Sequence, residues 1–198
     1  MAEPSSKAAV PSRWTAATVY PDMWVDPADD PRGDLAQEFS GERDILCEYL
    51  RIYRLTLEMK CAGLNAAQLA ERSVPPSDMS LLGLLRHMAD VERHWFRRVM
   101  GGEEAPRHYG TKEDPDADWH GAAPEAGLVE EAFATWKSEV ENAERFVQST
   151  EDLSTVGRHL LQRTIELREV LVHMIEEYAR HCGHADLIRE RIDGRVGQ

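Results

Sequence analysis

The spacing of apolar residues is what most restricts the fold of this chain. In four separate stretches they return at steps of three and four, with charged residues filling the gaps, which is the pattern of amphipathic helices. From about residue 41, Leu46, Tyr49, Leu50, Tyr53, Leu57 and Leu64 follow this period, with Ser40 as N-cap and Gly63 as stop. Residues 65–72 add one short turn, and Pro75-Pro76 then breaks the chain. A second helix starts near Asp78 or Ser80 and runs to Met100. It presents Leu81, Leu82, Leu85, Met88, Val91, Trp95, Phe96 and Val99 on one face, and Gly101-Gly102 ends it. Residues 103–124 are rich in prolines, glycines and acids and read as a long loop. A third helix fits 125–150, with Leu128, Phe133, Trp136, Val140 and Phe146 inward, followed by a connector over 151–164. The fourth runs from about 166 to 192 and is closed by Gly194. No stretch alternates convincingly with period two. The expectation is an all-α protein, a four-helix bundle over residues 35–198.

Residues 1–34 follow neither period. Pro4, Pro11, Pro21, Pro27 and Pro31 interrupt them, so they read as a proline-rich N-terminal arm, with Trp14, Tyr20 and Trp24 available to pin it to the bundle. There is no internal repeat, glycine-rich phosphate loop or Gly-x-Ser-x-Gly elbow.

Charge narrows the partners. With 23 basic and 36 acidic residues the formal charge is −13, which argues against nucleic acid and anionic lipid. The longest apolar run lies near 81–85 and is too short to span a bilayer, and the opening Met-Ala-Glu-Pro-Ser-Ser lacks a secretory core. The expectation is a soluble, cytoplasmic protein with neither a nucleic acid nor a membrane as partner. Cys47, Cys61 and Cys182 are odd in number and widely spaced, which excludes a cysteine-rich zinc site and disfavours a disulfide framework. Nineteen arginines against four lysines is a skew common in GC-rich genomes, those of actinomycetes among them.

The histidines carry the chemistry. Five of the eight fall in two helical stretches: His87 and His94 in the second helix, His173, His181 and His184 in the fourth. At 100° per residue, His173, Glu177, His181 and His184 fall at about 0°, 40°, 80° and 20°, on one stripe shared with Val170 and Ile188. An inward row of imidazole and carboxylate is costly unless satisfied, and a metal ion satisfies it directly. Glu177 and His181 lie about 6 Å apart along the axis, a spacing at which two side chains converge on one ion. A third ligand must come from another helix, and His87 is the best placed. His94 lies about 10 Å further along, and His173 about 12 Å from His181, so each is assigned to support or packing. His184 stays open between ligand, support and substrate contact. His108, His120 and His159 are expected in solvent, as is the acidic run 113–118, and Cys182 is assigned to packing. A His-Glu-His set leaves positions open for water or substrate, unlike a closed structural zinc site. Zinc suits it, and nickel or iron would also be accepted. No histidine follows a glutamate by three positions, so a ferritin-like di-iron bundle is not expected.

The segments SLLGLLRHMADVERHWFRRVMGG and VLVHMIEEYARHCGHADLIRERIDG resemble the DinB-like superfamily, in particular its actinobacterial branch of small stand-alone proteins. The likeness covers about residues 35–195. It implies a four-helix bundle holding one divalent metal near its centre. Many members use three histidines. Here Glu177 stands where the first histidine of the last helix is expected, and this set is similar to that of the mycothiol-dependent maleylpyruvate isomerases. Carried over, the ligands are His87, Glu177 and His181. The resemblance further implies a thiol S-transferase or isomerase acting on a small electrophile with a low-molecular-weight thiol such as mycothiol or bacillithiol. The metal would favour the thiolate, and His184 or His94 would carry protons. Two other readings keep the same bundle: a hydrolase using metal-bound water, and a non-enzymatic dimeric stress or binding protein. A homodimer is compatible with each.

Overall fold

Four long helices pack by burying the faces that the spacing picked out. The computed structural model of the protein describes residues 11–33, 38–158 and 163–198. Helix α1 is Glu42–Cys61 and α2 the short turn Ala66–Leu69. Helix α3, Leu81–Glu92, continues without a break as a π-helical segment, Arg93–Met100. A four-residue helix α4, Ala117–His120, precedes α5, Ala126–Ser149, and the chain ends with α6, Leu167–Asp193. Helix α1 packs along α6, α3 along α5, and α3 also meets α6 and α1, which closes the four-helix bundle. No helix among the described residues is long and apolar enough to cross a membrane.

The ends of the helices follow local chemistry. Ser80 caps α3, its hydroxyl accepting from the Gly83 amide at 3.0 Å. Asn65 and Gln68 form a reciprocal capping box on α2. Gly194 ends α6 at φ +81°, a conformation that a side chain would resist. At α1 the cap is Gly41 rather than Ser40, and no side chain bonds there. The helix faces hold in outline. Leu50 and Leu57 are buried, as are Leu81, Leu82, Leu85, Met88, Phe96 and Val99, whereas Tyr49 is exposed. In α5 the buried residues are Ala132, Trp136, Glu139, Ala143 and Val147, so of the expected inward set only Trp136 is fully inside, while Phe133, Val140 and Phe146 pack partly buried against the core and Leu128 is half-buried.

Two features depart from the expected all-helical layout. The connector after α5 contains a small antiparallel pair, β1 (Val156–Arg158) with β2 (Thr164–Glu166), in the register Val156↔Glu166. Two three-residue strands are too short to show a period. The second helix was expected to stay α-helical to Met100, but from Arg93 it widens to π geometry, visible in the bond from the Gly101 amide to the Phe96 carbonyl at 3.0 Å.

The arm is held by backbone and aromatic contacts. Trp14 and Val196 exchange main-chain bonds with Gly194 and Trp14 respectively, and Trp24 bonds to Gln198, so the arm runs against the C-terminal segment. Trp24 is buried, with Lys60 Nζ 3.9 Å and Arg195 Cζ 4.0 Å from its ring. Trp14 and Tyr20 remain exposed, so Trp24 is the principal pin. The division expected between residues 34 and 35 lies outside the described residues, as do residues 1–10 and His159.

One polar chain crosses the bundle core. Arg54 of α1 forms a fork with Glu92 of α3, both N–O distances 2.8 Å, and Glu92 is fully buried. Tyr178 of α6 donates to Glu92 at 2.7 Å, and Trp136 of α5 donates to Tyr178 at 2.8 Å. Replacing Glu92 with glutamine leaves the buried Arg54 charge to the half-exposed Glu144, 3.6 Å from it, in place of its buried fork. The expected loss is about 3–5 kcal/mol in urea unfolding. A loss below about 1 kcal/mol would match an exposed pair and contradict this account.

Candidate metal centre and cleft

Helix α6 presents one face of the site because Tyr178 points into the core, and its neighbour Glu177 is turned about 100° from it. Glu177 and His181 therefore share a face, opposite His87 on α3. One potential donor atom from each of His87, Glu177 and His181 lies within 4.8 Å of the others. The His87 and His181 rings are 4.8 Å apart, and His181 Nε2 is 3.5 Å from Glu177 Oε2. His181 is buried, while Glu177 and His87 are partly open. The structure thus brings together the three residues that the sequence picked out.

The remaining histidines take different places. His173 reaches Glu177 Oε1 with its Nε2 at 3.3 Å and meets the Trp95 ring at 4.6 Å. His184 touches His181 through the two Nδ1 atoms at 3.4 Å, and burial pushes its pKa down, with the nearby His181 and Arg180 adding to the effect. Glu177 is held below the ordinary carboxylate range by its hydrogen bond to His181. Burial opposes this, and the charges of His173, His181 and His87 assist it.

A cleft of about 250 Å³ opens beside these residues. His87, Glu177 and His94 line it, with Val91, Trp95 and Trp119 as apolar wall and Asp90, Arg107, Asp116 and Asp118 toward the loop. His94 is on the cleft, whereas His184 approaches His181 through Nδ1 and is not part of the lining. Trp95, placed above on the apolar face of the second helix, is half-buried and belongs to the wall, while Phe96 is core.

The loop 103–124 supplies what the sequence reading missed. Asp118 is buried and its Oδ2 lies 2.8 Å from His87 Nδ1, and Trp119 stacks on the His87 ring at 5.0 Å. The acidic run 113–118 is therefore not wholly solvated. The one available signal was Asp118-Trp119 itself, an acid followed by a large aromatic at the end of a polar stretch. The loop is tied down upstream as well. Asp90 accepts from the amides of His108, Tyr109 and Gly110. Glu139 accepts from Arg93 and Arg97 and bonds His108 Nε2 at 2.9 Å, so His108 is not left to solvent. Burial pushes the Glu139 carboxyl up, but these bonds outweigh it and hold it low. His120 is exposed and bonds Asp114.

The donor set fits a divalent cation: two imidazoles and a carboxylate on two facing helices, with a carboxylate behind one imidazole. Among the described residues, no cysteine, serine or threonine lines the cleft. The three cysteines are free, and none lines the cleft. Burial raises the Cys61 and Cys182 thiols to about 12.

The model of a family described as mycothiol-S-transferase matches residues 45–194. A crystal structure of a conserved protein from Enterococcus faecalis is similar in fold, with a TM-score of 0.52 at 16% identity, covering 75% of this chain and 95% of that one. No curated protein matches the sequence.

Thiol titration checks the exclusion of a cysteine nucleophile. With two thiols at about 12 and burial raising the half-buried Cys47 as well, the folded protein should react slowly with a disulfide reagent at pH 8. Three thiols should appear on unfolding. A fast-reacting thiol in the folded chain would reopen the question.

Proposed function

Since the chain belongs to the mycothiol-S-transferase family of the DinB-like superfamily, we propose that it is a metal-dependent thiol S-transferase whose cation is held by His87, Glu177 and His181. The observation that carries the reading is the convergence of these three donors beside an open cleft, within the span that the family model matches. Zinc suits the donors, and nickel or iron would be accepted. The same site could serve an isomerisation that begins with thiol addition.

When bound, the cation would supply positive charge that favours the thiolate form of a thiol at neutral pH. The chain's own residues do the rest. Trp95, Trp119 and Val91 form a partly apolar wall that limits water around the reacting atoms. His94, on the cleft, takes the thiol proton. The sulfur then forms its bond to the electrophilic carbon, and the leaving group departs with its electron pair. His173 orients Glu177, and His184 orients His181 through Nδ1. The low-molecular-weight thiol is of the mycothiol type, the second substrate is a small electrophile, and the protein works in the cytoplasm.

Protein purified without chelator should carry one divalent ion per chain, and conjugation of a chromogenic electrophile should need both ion and thiol. His87→Ala should lose the ion, lower turnover by at least about a hundredfold and leave the melting curve of the metal-free protein nearly unchanged. A preparation that neither holds nor rebinds a stoichiometric ion would sink the proposal. Turnover indifferent to thiol would point to hydrolysis instead.

A further inference from the structure

Helix α4 has four residues, too few to hold itself together, yet it sits in a fixed place against α3. We propose that Asp118, on this turn, is a positioning residue that keeps His87 in the tautomer protonated at Nδ1, so that the Nε2 lone pair is left for the site, and that Gly83, Arg86 and Trp119 clamp Asp118 in place. This rests on the reading of His87 as a ligand.

The chemistry follows from donors and acceptors. An ionised carboxylate only accepts hydrogen bonds, so the 2.8 Å contact of Asp118 Oδ2 with His87 Nδ1 requires the proton on Nδ1. A neutral imidazole has a single ring proton, and Nε2 is then an acceptor or a ligand. Asp118 is not free to turn away. It is buried, and its Oδ1 accepts from the Trp119 amide at 3.1 Å.

The clamp is built from residues of α3 one turn apart. Arg86, next to His87 in sequence, donates through Nε to the Asp118 carbonyl and through Nη2 to the Ala117 carbonyl, both at 2.9 Å. Consecutive residues of α3 thus grip the main chain and the side chain of the same loop residue. The Arg86 guanidinium also lies 4.0 Å from the centre of the Tyr109 ring. Trp119 rests directly on the helix backbone at Gly83, where a Cβ would stand 2.7 Å from its Cε3 atom. From there its ring stacks on His87 at 25°, which hinders rotation of the imidazole. Gly83, Arg86 and His87 on the helix match Asp118 and Trp119 on the loop, and none of Gly83, Arg86 and Trp119 has to touch a cation to shape the site.

Nitrogen-15 spectra of histidine-labelled full-length protein, metal-free and at a pH where imidazole is neutral, report the tautomer directly. Wild-type His87, assigned by its loss in His87→Gln, should show a protonated Nδ1 and a bare Nε2. Asp118→Ala should move the proton to Nε2 and weaken Zn²⁺ binding by about 10- to 100-fold. Asp118→Asn keeps an acceptor without the charge. It should retain the Nδ1 proton and recover part of the affinity, a rescue that a merely structural role of Asp118 would not produce. A wild-type proton on Nε2, or Asp118→Ala with unchanged tautomer and unchanged Zn²⁺ affinity, would overturn the inference. Wild-type protein that shows the Nδ1 proton, controlled by Asp118, but binds no Zn²⁺ would support the positioning role and overturn only the ligand reading.

Discussion

A buried guanidinium and a buried carboxylate cannot tolerate a badly turned helix. Glu92 is fully buried and Arg54 nearly so, and each becomes costly if its partner moves away. Tyr178 and Trp136 complete the chain of bonds, so all four long helices contribute a side chain to one polar line. Hydrophobic attraction is by itself non-directional. This line fixes the rotation of each helix, because a fork of two bonds at 2.8 Å fits one phase.

The phase has a direct consequence for the site. Tyr178 follows Glu177, and holding the tyrosine inward turns the glutamate toward α3. Glu92 lies on the same helix as His87, so the anchor and the imidazole turn together. The candidate centre then needs no separate device to bring Glu177, His181 and His87 within reach of one another. What it takes from elsewhere is the loop, which adds Asp118 and Trp119 and is itself pinned to the bundle through Asp90 and Glu139.

Periodicity made the bundle readable because an amphipathic helix writes its buried face every three or four residues. The same arithmetic placed His173, Glu177, His181 and His184 on one stripe, and the resemblance pointed to the same donors. What escaped was contact between residues distant in sequence. Asp118 is an acid among acids until the loop folds back across 31 positions to meet His87. Glu92 looks like any charged residue between apolar ones, since its burial depends on an arginine 38 residues earlier. The strands of three residues carry too few side chains to show alternation, and the N-cap expected at Ser40 falls on Gly41, at φ +90°.

The change from α to π geometry after Glu92 divides one continuous helix into two parts with different turning rates. His87 belongs to the first part and is set by the polar line. His94 and Trp95 belong to the second, and their bearing on the cleft depends on how many residues the wider turns contain. A one-residue deletion at Arg93, just before His94 and Trp95, would therefore rotate the cleft wall while leaving the three candidate ligands where they are. The shape of the cleft wall is in this way set apart from the placing of the candidate donors.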